Sequence, residues 1–189
     1  YIDTHAGAGC YRLDEGYAEA LRSVNPQMNG GADLVMYWWD RAAEILAMPG
    51  ARLKRFGFVT TNSITQVFQR RTIHRWLTGS NPISLVHATP DHPWTHVTAD
   101  SAGVRIAVTI AEAGLRDGEL ATVTSESHLQ TDLPVVTTVS TYGRINADLT
   151  LGADAGGARP LRANHGLCSP GVKLHGSGFI VSQSQAVAL

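Results

Sequence analysis

The stretch YIDTHAGAGC at residues 1–10 sets one acidic residue, Asp3, in a run of small residues with Gly7 and Gly9 two apart. Tyr1 and Ile2 read as the end of a strand, Asp3 as the polar residue at its carboxyl edge, and the glycines as a turn. Such a turn lets backbone N–H groups approach an anionic or polar ligand with no Cβ in the way. A G-x-G pair also recurs in ordinary turns, and a frayed terminus is the other reading of the same residues.

Three further groups carry chemistry. Thr60-Thr61-Asn62-Ser63 follows an apolar run, so these polar side chains either line a base or cofactor pocket at a sheet edge or cap the helix that follows. Gln69, Arg70, Arg71 and Arg75 form a basic set that contacts nucleic-acid phosphates on one reading and is a solvated helix face on the other. Asp91-His92-Pro93-Trp94, with His96 nearby, reads as a structural loop that faces DNA, where Trp94 stacks on a base or His92 stands near the chemistry. None of the eight histidines shows H-x-E spacing, and no metal site is expected. Asp40 and Glu44 read as an ordinary i, i+4 acidic pair rather than a catalytic dyad, and Cys168-Ser169 lacks a nucleophile-elbow context.

The elements that must position these residues follow from hydrophobic periodicity. ADLVMYWWDRAAEILA at 32–47 spaces Leu34, Val35, Trp38, Ala42, Ile45 and Leu46 at threes and fours, which predicts a helix; Trp38 and Trp39 are expected in the core. FGFVTTNSI predicts a central strand from Phe56, and the segment from Thr65 to Leu77 a second amphipathic helix ending near Gly79 and Pro82. ISLVHATPD, GVRIAVTIAEA and the weaker ELATVTSES predict three more strands. Strand, helix, strand is the rhythm of a parallel sheet with crossover helices. Beyond residue 130 the texture changes, and from Gly143 a Gly-, Ala- and Pro-rich stretch reads as a loop-rich tail that packs on the domain or leads into a missing one.

Length and composition bound the class. At 189 residues with 43% hydrophobic and 16% charged residues, the chain matches one globular domain with a sizeable core. No apolar run approaches the roughly 20 residues that span a bilayer. A net charge of −1 argues against wholesale coating of nucleic acid, while leaving room for a local basic patch. Cys10 and Cys168 are far apart in no metal-ligand spacing, which favours free thiols and a cytoplasmic location. The chain starts at Tyr1 rather than Met, with neither a basic leader nor a secretory apolar region, so a truncated start is expected.

Two resemblances sharpen the expectations. YIDTHAGAG resembles the first S-adenosylmethionine motif of class I methyltransferases, and its wording is similar to that of bacterial ribosomal RNA adenine-N6 methyltransferases. From Gly16 onward, the blocks GYAEALRSV, GGADLVMYWWDRAAEIL, RFGFVTTNSITQVFQRR, SLVHATPDHPW, VRIAVTI and GRINADLTLGADAGGARPLRANHGLCSPGVKLHGSGFIV resemble, in order, the methyltransferase part of large bacterial restriction-modification enzymes that methylate adenine N6 in DNA. The resemblance implies an α/β fold with a partial Rossmann-like class I methyltransferase sheet over 1–130. Residues 131–189 would form a loop-rich extension leading toward a target-recognition region. It implies S-adenosylmethionine as cofactor, with Asp3, Gly7 and Gly9 binding it, DNA as partner, and further domains of a larger polypeptide. Arg70, Arg71 and Arg75 are the candidate DNA contacts.

One departure from that family stands out. Its Asn/Asp-Pro-Pro-Tyr/Phe motif, which accepts the amine hydrogens and stacks on the flipped base, is absent. Asn25-Pro26-Gln27-Met28 keeps only the Asn and the first Pro, and reads as a turn before the following helix. Six residues separate Gly9 from Gly16, so the first half of the sheet is expected to be missing. The catalytic residues are thus unassigned, and the rival expectations are a ribosomal RNA adenine-N6 methyltransferase and a non-catalytic DNA-binding or scaffolding fragment.

Overall fold

The computed structural model describes residues 15–95, 104–129, 131, 133–154 and 161–164. Helix α1 spans Glu15–Val24 and α2 spans Leu34–Ala47; strand β1 spans Arg55–Thr61 and leads through a 3-10 turn at Asn62–Thr65 into α3, Val67–Leu77. Four strands follow: β2 Ile83–Pro93, β3 Arg105–Ala113, β4 Gly118–Ser127 and β5 Val135–Gly143. Chain contacts group 1–157 as one unit and 158–189 as another, the latter described only around a 3-10 turn at Arg162–Asn164.

The sheet order is β1-β3-β2-β4-β5. β1 and β2 are both antiparallel to β3, so they run in the same direction, with α3 as the crossover between them. That unit is the expected strand-helix-strand. The parallel sheet expected from it is corrected: β3 enters between its strands, β4 pairs with β5 antiparallel, and only β2 with β4 is parallel. No helix stands between β2 and β3 or between β4 and β5 among the described residues, whereas parallel neighbours are usually joined by a crossover helix.

The core forms where α2 and α3 cover one face of the sheet. β3 lends that face Ala107, Thr109 and Ala111, all fully buried, and these small residues let α2 come close. Trp39 fills the space, its indole N–H donating to Thr109 Oγ1 at 3.4 Å and its ring meeting Phe56 edge-on at 5.2 Å. The buried stripe of α2 is therefore Val35, Met36, Trp39, Asp40, Ala43 and Leu46. It is rotated from the one expected, leaving Trp38 47% and Ile45 37% exposed. The opposite face of the sheet carries Val59, Ile106, Val108 and Ile110, none of them buried.

Two segments beyond residue 130 join this body. Val135–Gly143 pairs with β4, so the sheet continues past that point. The following INADL segment packs on the domain: Ile145, Ala147 and Leu149 are each 2% exposed within the core. A tight turn staples them there, with Leu149 N–H donating to Asn146 O at 3.0 Å and Asn146 N–H to Thr150 O at 2.9 Å. Three apolar side chains in a short turn outweigh the glycine-rich composition around them.

The joint between β3 and β4 has little tolerance. Residues 114–117 cross the start of β2, held by the Ser84 hydroxyl, which donates to Gly114 O at 2.7 Å and accepts from Arg116 N–H at 2.9 Å. At Gly118 a Cβ would lie 2.2 Å from Leu85 O and 2.8 Å from Val86 Cα, a backbone approach that only glycine allows. Gly118→Ala is accordingly expected to cost about 2 kcal/mol of unfolding free energy in urea titration. Gly50→Ala, where φ is +76° and the space is open, should cost about 1 kcal/mol.

Candidate functional site: the carboxyl edge and the arginine face

Because β1 and β2 are parallel to one another, their carboxyl ends share one edge, the place where open α/β sheets bind ligands. Thr61, Asn62 and Ser63 leave β1 there. The Ser63 hydroxyl donates to Asp33 Oδ2 at 2.6 Å and lies 2.5 Å from Thr61 Oγ1. Asn62 reaches across to β2: its Oδ1 accepts from Asp91 N–H at 2.9 Å and its amide donates to Asp91 Oδ1 at 3.4 Å. Neither residue caps α3, whose N-cap is Gln66 and makes no side-chain cap bond. Thr60 turns inward and donates to the Thr61 carbonyl at 3.1 Å.

Asp91 sits at φ +52°, a left-handed conformation that a short polar side chain tolerates. Arg105 braces it, with Nε 2.9 Å from Asp91 Oδ1, a second bond to the Asp91 carbonyl, and Nη2 2.7 Å from Glu126 Oε1. The hydrogen bond to Glu126 and then that to Asp91 raise the guanidinium above its ordinary pKa. The Arg105 hydrogen bond in turn holds the Glu126 carboxyl below the usual range. A comparable chain crosses the next strands: the Ser140 hydroxyl donates to Glu119 at 2.5 Å and His87 Nδ1 lies 3.3 Å from its other oxygen, both lowering the Glu119 pKa. On β2 itself, His92 Nδ1 lies 2.7 Å from Pro93 O, and Trp94 N–H donates to Val104 O at 3.1 Å. The edge thus presents carboxylates, an amide and hydroxyls, a set suited to amines and hydroxyls.

The arginine set on α3 divides. Arg71 and Arg75, one turn apart, border a cleft of about 270 Å³ lined also by Gln27, Asn29, Phe68 and Thr72. Arg70 is not in its lining and sits about 100° around the helix from Arg71. Arg71 is exposed with no carboxylate partner among the described residues, and Phe68 beside it is 48% exposed. Arg75 instead pairs with Asp40 and stacks 5.4 Å from the Trp76 ring centroid. Asp40 also accepts from Trp76 Nε1 at 2.5 Å and Gln27 Nε2 at 3.3 Å.

Sequence reasoning missed Asp40. Its i, i+4 spacing groups it with Glu44, but Glu44 is exposed and pairs with Arg41 at 2.5 Å, whereas Asp40 is 6% exposed. The signal is its placement on the Met36, Trp39 and Ala43 face. The Asn25-Pro26-Gln27-Met28 segment is a turn that supplies Gln27 to Asp40 and buries Met28. Asp3, Gly7, Gly9 and His96 lie outside the described residues.

Removing Asp40 strands a guanidinium and an indole N–H. Asp40→Ala should lower stability by about 3 kcal/mol, against less than about 0.5 kcal/mol for Glu44→Ala, by chemical denaturation. Both depressed carboxyls, Glu119 and Glu126, favour the folded state fully above the ordinary value of 4.5, and that contribution disappears as pH falls below it. Glu126→Gln should therefore be less stable than the parent at neutral pH and equal to it in strong acid, in urea unfolding at stepped pH.

No protein-family model matches this chain, and no curated protein matches it. Among solved structures, the Type IIL restriction-modification enzyme MmeI in complex with DNA matches with a TM-score of 0.55 and 23% identity over 76% of this chain. The chain spans 18% of that protein's length. At this identity the likeness is one of fold: the mixed α/β body described above has the fold of a section of a DNA-bound restriction-modification enzyme.

Proposed function

We propose that this chain is part of the methyltransferase portion of a restriction-modification enzyme that methylates adenine N6 in DNA with S-adenosylmethionine. The fold likeness to MmeI is the observation that carries the reading, and the ordered sequence blocks from Gly16 onward support it. Arg71, with Phe68 beside it, offers a cation and an aromatic face to nucleic acid, and Arg70 extends the charge along α3. Arg75 serves chiefly to neutralise Asp40 and adds little net charge to that face. The half-exposed apolar face of Val59, Ile106, Val108 and Ile110, and the outer edge of β1, which pairs with no strand among the described residues, favour further domains of a larger polypeptide packing against this one.

Asp3, Gly7 and Gly9 are the proposed cofactor contacts. The carboxyl edge fits the same chemistry, because Asp33 and Asp91 each retain acceptor positions for the amine or hydroxyl of a cofactor or base. When bound, S-adenosylmethionine supplies an electrophilic methyl group for in-line displacement by an amine. Without the Asn-Pro-Pro-Phe type of motif, methyl transfer by this chain alone is expected to be weak or absent. A non-catalytic DNA-binding role is the second reading, favoured by the free Arg71.

Calorimetry with S-adenosylhomocysteine should show binding that Gly7→Val abolishes; no heat at millimolar ligand would remove the cofactor from the proposal. Arg71→Ala should weaken duplex binding and lower its salt slope by about 1, while leaving sequence preference alone. Salt-sensitive DNA binding with no cofactor response favours the second reading, and labelled methyl on ribosomal RNA instead of DNA sinks both.

A further inference from the structure

At the amino edge of the sheet, opposite the site above, lies a larger cleft of about 530 Å³. The turn after α2 supplies Met48, Leu53 and Lys54 to it, the start of β1 supplies Arg55, and the end of β3 with the turn beyond supplies Glu112 and Arg116. Its charge is unbalanced. Glu112 is the only carboxylate in the lining, and both guanidinia draw on it, Arg55 Nε at 2.7 Å and Arg116 Nε at 3.3 Å. Those two arginine side chains nonetheless remain 61% and 60% exposed. Among the described residues the Lys54 ammonium finds only the Ala51 carbonyl, at 3.4 Å. Beneath this rim the surface is aliphatic, with Met48 45% exposed and Leu53 half-buried over Leu46.

We propose that this cleft docks an acidic amphipathic segment of a partner polypeptide, its aliphatic side chains over Met48 and Leu53 and its carboxylates on Lys54, Arg55 and Arg116. Charge complementarity chooses the occupant. Three cations around one shared carboxylate call for added negative charge, and an aliphatic floor rewards leucine-like side chains. Nucleic acid fits less well: no aromatic ring lines the cleft for a base to stack on, and phosphates gain nothing from an apolar floor. A helix laid in the groove would match it with apolar anchors at i and i+4. This surface is separate from the arginine face of α3, so its failure leaves the proposed function untouched.

The test uses the full chain and a fluorescein-labelled synthetic peptide of leucine and glutamate with its leucines on one helical face. Fluorescence anisotropy should show binding that weakens with salt and falls about tenfold in the double variant Lys54→Glu, Arg116→Glu, which leaves the Arg55–Glu112 pair in place. Met48→Ser should weaken binding at unchanged salt dependence, and Met48→Leu should restore it; thermal melts confirm that each variant folds. The same double variant should gain affinity for a leucine-lysine peptide of identical pattern. The proposal is overturned if the leucine-glutamate peptide does not bind, if a scrambled peptide binds equally, or if the double variant keeps full affinity. It is also overturned if single-stranded or duplex DNA displaces the peptide and loses its own binding in the double variant, which would make the cleft a nucleic-acid surface.

Discussion

The buried carboxylate of Asp40 governs how the helical layer sits on the sheet. A charge at 6% exposure is tolerable only when compensated, and its partners come from two directions: Arg75 and Trp76 from α3, and Gln27 from the turn after α1. That convergence fixes the rotation of α2, because Asp40 can face its donors only if Trp39 faces Thr109 and Phe56. It also fixes α3 along its length, and so decides which of its arginines stays free. A structural need for charge balance thereby divides the basic residues of α3 into Arg75, paired with Asp40, and Arg70 and Arg71, which have no carboxylate partner among the described residues.

The sheet divides the molecule's chemistry in a similar way. Placing β3 between two parallel strands puts the ends of β1 and β2 on one edge, where Asn62 ties Asp91 across the gap and Arg105 braces it from β3. The same placement gathers Lys54, Arg55 and Arg116 at the other edge, around Glu112. The two edges therefore differ in kind: one is a hydrogen-bonded network of carboxylates, amide and hydroxyls, the other an excess of cations over an aliphatic floor. β4 and β5 depend on the body through the narrow parallel contact of His87 with Glu119 and Ala88 with Leu120, which the absence of a side chain at Gly118 makes possible.

The elements with strong periodicity were legible without coordinates. The helix over Leu34–Ala47, the strand beginning near Phe56 and the strands of ISLVHATPD and GVRIAVTIAEA form where local pattern and tertiary packing agree. Val135–Gly143 was not singled out, because a ribbon exposed on most of its positions lacks the apolar alternation that marks a half-buried strand. Ile145, Ala147 and Leu149 were hidden in a glycine-rich context whose composition resembles a loop.

What the sequence by itself determined is helices α2 and α3, strands β1 to β4, and the basic character of the segment around Arg70, Arg71 and Arg75. Those properties reside in short stretches of chain, where side-chain type and spacing suffice. The tertiary structure alone decided that β3 inserts between β1 and β2, that Asp40 is buried while Glu44 is not, and that Arg75 is committed to Asp40 while Arg71 is open. The reason is physical: burial and ion pairing depend on partners 35 residues apart in sequence, as Asp40 and Arg75 are, and no local pattern encodes which distant donor will meet a given carboxylate.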